Sequence, residues 1–212
     1  MTPFTTVTGA AAPLMQPNID TDVIIPIHRL TGTARETMGQ FAFEPLRYGA
    51  DGAENPDFIL NRPAFRGAPI LIAGANFGCG SSREGAVWAL RGVGLRCVIA
   101  EGFGDIFQGN CYQNGMLPVT LSARTVEELA RQAVQGAPFT VDLINRMVIS
   151  PGGTSYPFDI PPLRREALLE GLDELAQTRK RLAEITTWQE RDQETRPWVW
   201  RHLPQATKEG ST

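Results

Sequence analysis

The chain has 212 residues, of which 42% are hydrophobic and 20% charged, and its formal net charge is −3. This length and composition fit one globular domain with a buried core, and the slightly acidic balance argues against a nucleic-acid-binding surface. No apolar run reaches the about 18 residues of a membrane helix and no basic-then-apolar leader opens the chain, so a cytoplasmic location without membrane contact is expected.

The first quarter of the chain predicts one strand and a long loop. Residues 7–12 are short and apolar, which is typical of an edge strand. A polar turn at residues 18–22 leads into the apolar residues 23–25. Residues 27–57 are rich in Gly, Thr and charge, and they predict a long functional loop with one helical turn near residues 38–43.

The middle of the chain predicts strands and helices in alternation, which indicates a parallel core sheet. Thr125 is the expected N-cap of the last of these helices, whose Val126, Leu129, Ala130 and Val134 share one face. The strands are expected at residues 69–73, 96–100 and 117–121, and the helices at residues 82–92, 103–110 and 126–135.

The last part of the chain changes character twice. Apolar and polar residues alternate at 139–143 and 147–150, which predicts a β-hairpin to which residues 156–158 can add a strand. Pro161-Pro162 predicts the start of a helix. We therefore expect residues 1–176 to form the domain. Residues 177–212 are expected to be a charged helical tail whose end is disordered.

The cysteines and histidines predict no metal site on this chain. The chain has three cysteines, Cys79, Cys97 and Cys111. Their number is odd, no two of them form a C-x-x-C motif, and their spacing matches no iron–sulfur motif. Cys97 lies in an apolar run and is expected to be inert core. With only His28 and His202, a histidine-based metal site or catalytic triad is not supported.

The most informative segment is GANFGCGSSREGAVWALR, residues 74–91, which follows an apolar strand. Ser81-Ser82-Arg83-Glu84 has the form of a capping box, which places the serines at a helix N-terminus. Unpaired N–H groups and the helix dipole favour anions there, and Arg83 adds a fork for a carboxylate. Capping alone is the ordinary role of serine at such a position.

The glycines of this loop favour more than a cap. Gly78 and Gly80 allow a close backbone approach that a cap does not require. Known glycine-rich motifs do not fit: no Lys follows the glycines, Arg83 interrupts G-x-G-x-x-G, and no glycine completes G-x-S-x-G. We therefore predict an anion-binding loop that is not a nucleotide-binding loop.

This loop and the segment NIDTDVIIP at residues 18–26 resemble the swivelling domain of the aconitase superfamily, and most closely the small-subunit family of 3-isopropylmalate dehydratases. The resemblance covers roughly residues 9–175 and implies an α/β fold, a compact β/β/α swivelling domain. Further segments in the family's order are NPDF at 55–58, FGDIF at 103–107, LPV at 117–119 and GLDE at 171–174.

The resemblance implies a hydro-lyase that interconverts 2-isopropylmalate and 3-isopropylmalate through 2-isopropylmaleate in leucine biosynthesis. It also implies a heterodimer, because the iron–sulfur (4Fe-4S) cluster that acts as Lewis acid is expected on a large partner subunit. This chain is then expected to bind the dicarboxylate substrate but no cluster, and to be inactive alone.

Roles at the site follow from the same resemblance. Ser81 corresponds to the catalytic base, and Ser82 and Arg83 to carboxylate ligands. For Arg83 the alternative is a surface ion pair with Glu84 or Glu101. A serine is a weak base unless its anion is stabilised, which a helix N-terminus and a guanidinium can do in a site that excludes water.

Two further segments are implied to form the cleft. Thr21 and Asp22 line or brace it, although a turn that satisfies its own backbone would also explain the Asp20–Asp22 pattern. The loop at residues 27–37 is expected to bind the substituent that does not react. Its candidate substrate-binding residues are Ile27, His28, Leu30 and Arg35.

One departure from the family pattern bears on the substrate. Gly85 stands where the family usually has His, and the chain beyond Leu175 matches poorly. A related hydro-lyase acting on methylmalate or citraconate is therefore the second interpretation. A non-catalytic module that binds anionic metabolites is a third, from a different class.

Overall fold

The computed structural model describes residues 1–80 and 83–200, which form two compact units, Met1–Asp173 and Glu174–Thr212, the second followed as far as Trp200. Within the described residues, the first unit holds one mixed sheet. Its strands are β1 (Thr6–Leu14), β2 (Ile70–Ala73), β3 (Cys97–Ala100), β4 (Leu117–Thr120), β5 (Pro138–Asp142), β6 (Met147–Ile149) and β7 (Ser155–Pro157). Their order in the sheet is β4-β3-β2-β1-β5-β6-β7.

Helices flank this sheet and fill its connections. Among the described residues, none is both long and apolar enough to span a bilayer. The helices of the first unit are α1 (Thr21–Ile24), α2 (Ile27–Leu30), α3 (Glu44–Arg47), α4 (Glu84–Gly92), α5 (Asp105–Gln113), α6 (Ala123–Gln132) and α7 (Pro162–Glu170), with 3₁₀ turns at Arg35–Phe41 and Ile59–Asn61.

The parallel core predicted from the sequence is confirmed for β1 to β4, each of which pairs in parallel with its neighbour. Every residue of β2 and β3 is buried, as expected for strands covered on both faces. Their side chains divide between two core clusters. One cluster contains Phe43, Phe77 and Phe107, and the other contains Phe4 and Phe139.

The position predicted for β1 is wrong, because this strand lies in the middle of the sheet. Its first half pairs antiparallel with β5, with Thr8 opposite Thr140, and its second half pairs in parallel with β2. The short apolar run at residues 7–12 does not indicate that the strand pairs with two other strands. They lie more than 50 residues away, and only the tertiary fold brings them to both sides.

Helix α4 begins later than predicted. Arg83 occupies its N-cap position without a side-chain cap bond, and Glu84 is the first helical residue. Glu84 therefore does not hold the third helical position that a capping box requires. Ser81 and Ser82 lie outside the described residues.

Helix α6 also differs from its prediction. Its N-cap is Ser122, whose Oγ accepts a hydrogen bond from the Thr125 backbone N–H at 3.3 Å. Val126 and Leu129 are buried as expected, but the helix ends at Gln132. Val134 therefore lies beyond the helix and is 60% exposed.

Residues 27–57 contain more helix than the predicted single turn. Helix α2, the 3₁₀ turn Arg35–Phe41 and α3 follow one another, and Met38 and Phe43 anchor the segment in the core. Each helix is too short for a clear apolar period, so this region reads as loop in the sequence.

The C-terminal half of the sheet agrees with the sequence. Strands β5 and β6 form the predicted hairpin, and β7 adds to β6. Helix α7 begins at Pro162 and ends at Glu170, and its C-cap Gly171 has a φ of +70°, the left-handed conformation that favours glycine.

The second unit contains α8 (Glu174–Lys180), α9 (Leu182–Thr195) and α10 (Pro197–Trp200). The Trp200 indole donates to Asp192 Oδ2 at 3.0 Å, and Arg196 donates to Oδ1 of the same carboxylate at 2.6 Å. Burial works against the charged form of Asp192, but these hydrogen bonds outweigh it and lower its pKa. The boundary after residue 176 and the disorder of the chain end stay predictions, and residues 201–212 lie outside the described residues.

The cysteines should differ sharply in reactivity. Cys97 and Cys111 are fully buried, as predicted for Cys97, and burial raises the pKa of both thiols. Cys79 is partly exposed on the loop after β2. We expect one thiol per chain to react with a chromogenic disulfide in the folded protein and all three in denaturant. Cys79→Ser should abolish the reaction of the folded protein; persistence of that reaction would contradict the expected burial.

Candidate active site

Three loops meet where the parallel strands β1, β2 and β3 end. They comprise residues 18–22 after β1, residues 74–80 after β2, and residues 102–104 after β3. Ligands of open α/β sheets bind at this carboxyl edge. The two segments that carry the family resemblance, far apart in the sequence, are therefore neighbours at the edge where a site is expected.

Backbone hydrogen bonds extend the sheet ladder into these loops. The Gly78 N–H donates to the Ile19 carbonyl at 2.7 Å, and the Thr21 N–H donates to the Cys79 carbonyl at 3.1 Å. On the other side, the Phe77 N–H donates to the Gly102 carbonyl at 3.0 Å. The loop after β2 is thus held from both sides.

Gly78 and Gly80 both have positive φ, +71° and +85°. A Cβ at Gly78 would lie 2.2 Å from the Phe107 ring, whereas at Gly80 it would approach the Asp20 Cβ at 3.4 Å. The close approach at Gly78 is therefore to the protein's own core. Gly80 follows the partly exposed Cys79 and is itself exposed.

Arg83 forms an ion pair with Asp22 through its Nη1 and the Asp22 Oδ1. The alternative interpretation from the sequence was a surface ion pair of Arg83 with Glu84 or Glu101, but in the structure its partner is Asp22. Only 16% of the Arg83 side chain is exposed, against 53% of the Asp22 side chain. A carboxylate that reaches Arg83 from solvent therefore meets Asp22 as its competitor.

The segment after β1 is braced by its own side chains. Asp20 Oδ1 accepts from the Val23 N–H at 2.8 Å and caps α1, as the turn interpretation of this segment anticipated. Thr21, the residue before Asp22 in α1, is 1% exposed. This places Thr21 against the loop after β2, while Asp22 faces solvent.

The predicted substrate loop divides into two parts. On α2, Ile27 is 61% exposed, and the His28 side chain is 66% exposed with its Nε2 3.9 Å from the Glu44 carboxylate. Leu30 packs against the core, and Arg35 donates to Asn114 Oδ1 at 2.8 Å. Ile27 and His28 are therefore available to a ligand, whereas Leu30 and Arg35 have protein partners.

Sequence reasoning missed the pair that holds this loop. Arg29 binds the Glu44 carboxylate with two hydrogen bonds, of 2.9 and 2.6 Å, and its guanidinium lies 4.1 Å from the Phe41 ring centroid. The hydrogen bonds from Arg29 lower the Glu44 pKa. No local pattern links residues 29 and 44, which are neighbours only because α2 and α3 fold back on each other.

Gly85 has a packing reason. It is buried in the first turn of α4, and a Cβ there would lie 2.4 Å from Leu30 Cδ2. Leu30 occupies the space beside Gly85, so a larger side chain at position 85 requires Leu30 to move.

This contact predicts an energetic coupling between Gly85→Ala and Leu30→Ala. The added methyl group clashes only while Leu30 is present, so the double variant should be more stable than the sum of the single effects by about 0.5–3 kcal/mol. Urea unfolding measures the four free energies. Gly109→Ala is the control, because a Cβ there has nothing within 4 Å. Equal effects of Gly85→Ala in both backgrounds would contradict the contact.

The described residues do not fit an iron–sulfur cluster or another metal. No three His, Cys, Asp or Glu side chains of residues 1–80 and 83–200 come together as a metal site. Cys97 and Cys111 lie in different core clusters with raised pKa values. No chemical step is therefore assigned to a metal held by these residues.

Comparisons with known proteins agree with this architecture. A model described as the aconitase C-terminal domain matches residues 1–124, and one described as LeuD_N matches residues 127–162. A protein of Paracoccus denitrificans named 3-isopropylmalate dehydratase small subunit is 47% identical over 201 residues, which cover 94% of this chain and all of the relative. A protein of the same name from Rhodospirillum centenum is 48% identical, with 94% and 99% covered.

The chain belongs to the 3-isopropylmalate dehydratase small-subunit family. A crystal structure of 3-isopropylmalate dehydratase from Methanocaldococcus jannaschii is similar to this chain, with 25% identity and a TM-score of 0.64, and the match covers 86% of this chain and 98% of that one. The family resemblance and the α/β swivelling-domain fold expected from the sequence are confirmed. Within this family fold, the loop after β2, α1 and the start of α4 form the candidate site.

Proposed function

We propose that this chain is the small subunit of a hydro-lyase that interconverts 2-isopropylmalate and 3-isopropylmalate through 2-isopropylmaleate in leucine biosynthesis. The observation that carries the proposal is the largely buried Arg83 at the N-terminus of α4, held by Asp22 at the carboxyl edge of the parallel strands. A fork of guanidinium donors at a helix N-terminus suits a carboxylate common to all three compounds.

Dehydration breaks a C–H and a C–O bond on adjacent carbons and forms a double bond. A base takes the proton from the carbon next to a carboxylate, and hydroxide leaves with the C–O electrons. We assign the base to Ser81 and the carboxylate contacts to Ser82 and Arg83. The role of Ser81 requires a stabilised serine alkoxide, and a helix N-terminus and a guanidinium are groups that supply such stabilisation.

Departure of hydroxide requires a partner subunit in this proposal. A 4Fe-4S cluster on the large subunit would supply a Lewis acid for the hydroxyl group. One feature supports a site shared between subunits: the Asp22 side of the Arg83 ion pair is open to solvent, with 53% of the Asp22 side chain exposed.

The decisive experiment is to co-express the chain with its large subunit anaerobically and to assay hydration of 2-isopropylmaleate and of citraconate. We expect the complex to hydrate 2-isopropylmaleate with the higher kcat/KM, and the isolated, folded chain to hydrate neither. A preference for citraconate would instead assign the methyl-substituted substrate. Turnover by the isolated, iron-free chain would contradict a site shared between two subunits. A complex that binds dicarboxylates but hydrates neither alkene would favour the non-catalytic binding module.

Substrate preference should depend on Ile27, the exposed apolar residue of α2. Ile27→Ala is expected to narrow the preference for 2-isopropylmaleate over citraconate, because each methylene in an apolar pocket is worth about 1–3 kcal/mol. Steady-state kcat/KM on both alkenes measures the change. Ile144→Ala, at the exposed turn of the β5–β6 hairpin, is the control. An unchanged preference in the Ile27 variant would place the selective contact elsewhere.

A further inference from the structure

Asn114, the C-cap residue of α5, is 3% exposed and has every hydrogen-bonding position of its amide in use. Its Oδ1 accepts from Arg35 Nη2 at 2.8 Å and from the Trp88 indole at 2.9 Å. Its Nδ2 donates to Glu84 Oε1 and to the Asn110 carbonyl, both at 2.9 Å. A buried amide with four partners is held in one orientation.

The partners fix which end of the amide faces which group. Arg35 and Trp88 can only donate, whereas Glu84 Oε1 accepts the hydrogen bond from Asn114. The oxygen must therefore face the guanidinium and the indole, and the NH₂ group must face Glu84. An aspartate at position 114 could satisfy the first pair but would set a carboxylate oxygen against the Glu84 carboxylate.

These bonds join three elements around the candidate site. Arg35 begins the 3₁₀ turn Arg35–Phe41, Glu84 and Trp88 belong to α4, and Asn114 ends α5. The Arg35 guanidinium also lies 4.8 Å from the Trp88 ring centroid. The 3₁₀ turn and α4 also meet at Gly39 and Gly92. A Cβ on Gly39 would lie 2.3 Å from the Gly92 carbonyl carbon, so the two elements are in direct backbone contact.

We propose that Asn114 is a positioning residue for the reaction assigned above, on which this inference rests. Glu84 directly follows Arg83, so the Asn114–Glu84 bond fixes the first turn of α4 and with it the direction of the Arg83 guanidinium. The bond to Arg35 fixes the same turn relative to the end of the predicted substrate loop. Arg35 then acts through Asn114 rather than on the substrate.

The test uses the assembled two-subunit enzyme and compares Asn114→Asp with the double variant Asn114→Asp/Glu84→Gln. Asn114→Asp opposes two carboxylates and should lower kcat at least about tenfold, since small misplacements of reacting groups cost this much or more. The amide introduced at position 84 can donate to the new carboxylate, so the double variant should recover part of the lost kcat; recovery stays incomplete because the Asn110 carbonyl still faces an oxygen. Glu84→Gln alone keeps an acceptor for Asn114 and should change kcat little.

Asn61→Asp is the matched control for lost stability. Asn61 is also a buried asparagine, with Nδ2 bonded to the Arg47 and Asn55 carbonyls at 2.7 and 2.9 Å, but it contacts neither α4 nor α5 through these bonds. It should lower Tm without lowering kcat of the assembled enzyme. A wild-type kcat in Asn114→Asp, or no recovery in the double variant, would overturn the positioning role.

Hydrogen exchange separates this inference from the proposed function. If the wild-type complex hydrates neither alkene, the proposed reaction is wrong, but exchange still tests the link. Asn114→Asp should speed amide exchange both in the first turn of α4 and in residues 35–41. Adding Glu84→Gln to this variant should slow the exchange of both segments again. Exchange that rises in only one segment, or in neither, would overturn the link itself.

Discussion

Ser81→Ala is expected to lower kcat of the assembled enzyme by about 10²–10⁴-fold, the range that a positioned acid–base group contributes. The substitution removes the only oxygen of the side chain to which the proton transfer is assigned. Because Arg83 and not Ser81 occupies the N-cap position of α4, the substitution does not change the N-cap residue and the complex should still assemble. Single-turnover hydration of 2-isopropylmaleate and size-exclusion chromatography measure the two properties.

Ser122→Ala is the matched control for this variant. Ser122 is the N-cap of α6 and its Oγ accepts from the Thr125 N–H, so its removal should cost about 0.5–2 kcal/mol of stability. Its kcat should stay at the wild-type value. If Ser81→Ala behaved like Ser122→Ala, with lost stability and normal turnover, Ser81 would be a structural serine and the base would have to be another group.

Arg83→Lys should weaken every substrate of this enzyme by a similar factor. Lysine keeps the charge but cannot form the planar two-bond contact with a carboxylate. A hydrogen bond to a charged group is worth about 1.5–3 kcal/mol, so kcat/KM should fall by about ten- to 150-fold on both 2-isopropylmaleate and citraconate. Arg83 lies next to a carboxylate that is common to both alkenes in the proposal, so their ratio should be unchanged.

Arg66→Lys provides the comparison. Arg66 also makes a two-bond contact, with Glu54 at 3.1 and 2.5 Å, but both side chains lie on the exposed surface of the segment before β2. Exposed ion pairs contribute little, so this variant should leave both stability and kcat/KM near wild type. An effect of Arg83→Lys confined to one alkene would show that Arg83 binds the variable substituent instead.

Local patterns in the sequence were sufficient for the parallel core and the hairpin. Continuous apolar runs at β2 and β3 and alternation at β5 and β6 each follow from which faces of a strand are buried. Helix boundaries were less secure. Ser122 rather than Thr125 caps α6, and Arg83 rather than a serine precedes α4, because several residues with capping ability lie close together and packing selects among them.

The candidate site could be located from the sequence but not assembled from it. The glycine loop and Arg83 stand out because their types and spacing suit an anion at a helix N-terminus. The partner of Arg83 was expected among its sequence neighbours, and the structure places Asp22 there instead. That pairing exists because β1 lies beside β2 in the sheet, which brings the loops after the two strands together.

By itself, the sequence determined the parallel core sheet and the glycine-rich loop after β2, because these depend on local periodicity and on glycine; the swivelling-domain fold was implied by the family resemblance. Only the tertiary structure decided that β1 is central, that Leu30 fills the space beside Gly85, and that Asn114 joins Arg35 to Glu84. Each of these depends on groups that are 30 or more residues apart in the chain. Such contacts form only when the whole core closes, since no local pattern specifies which distant surfaces will meet.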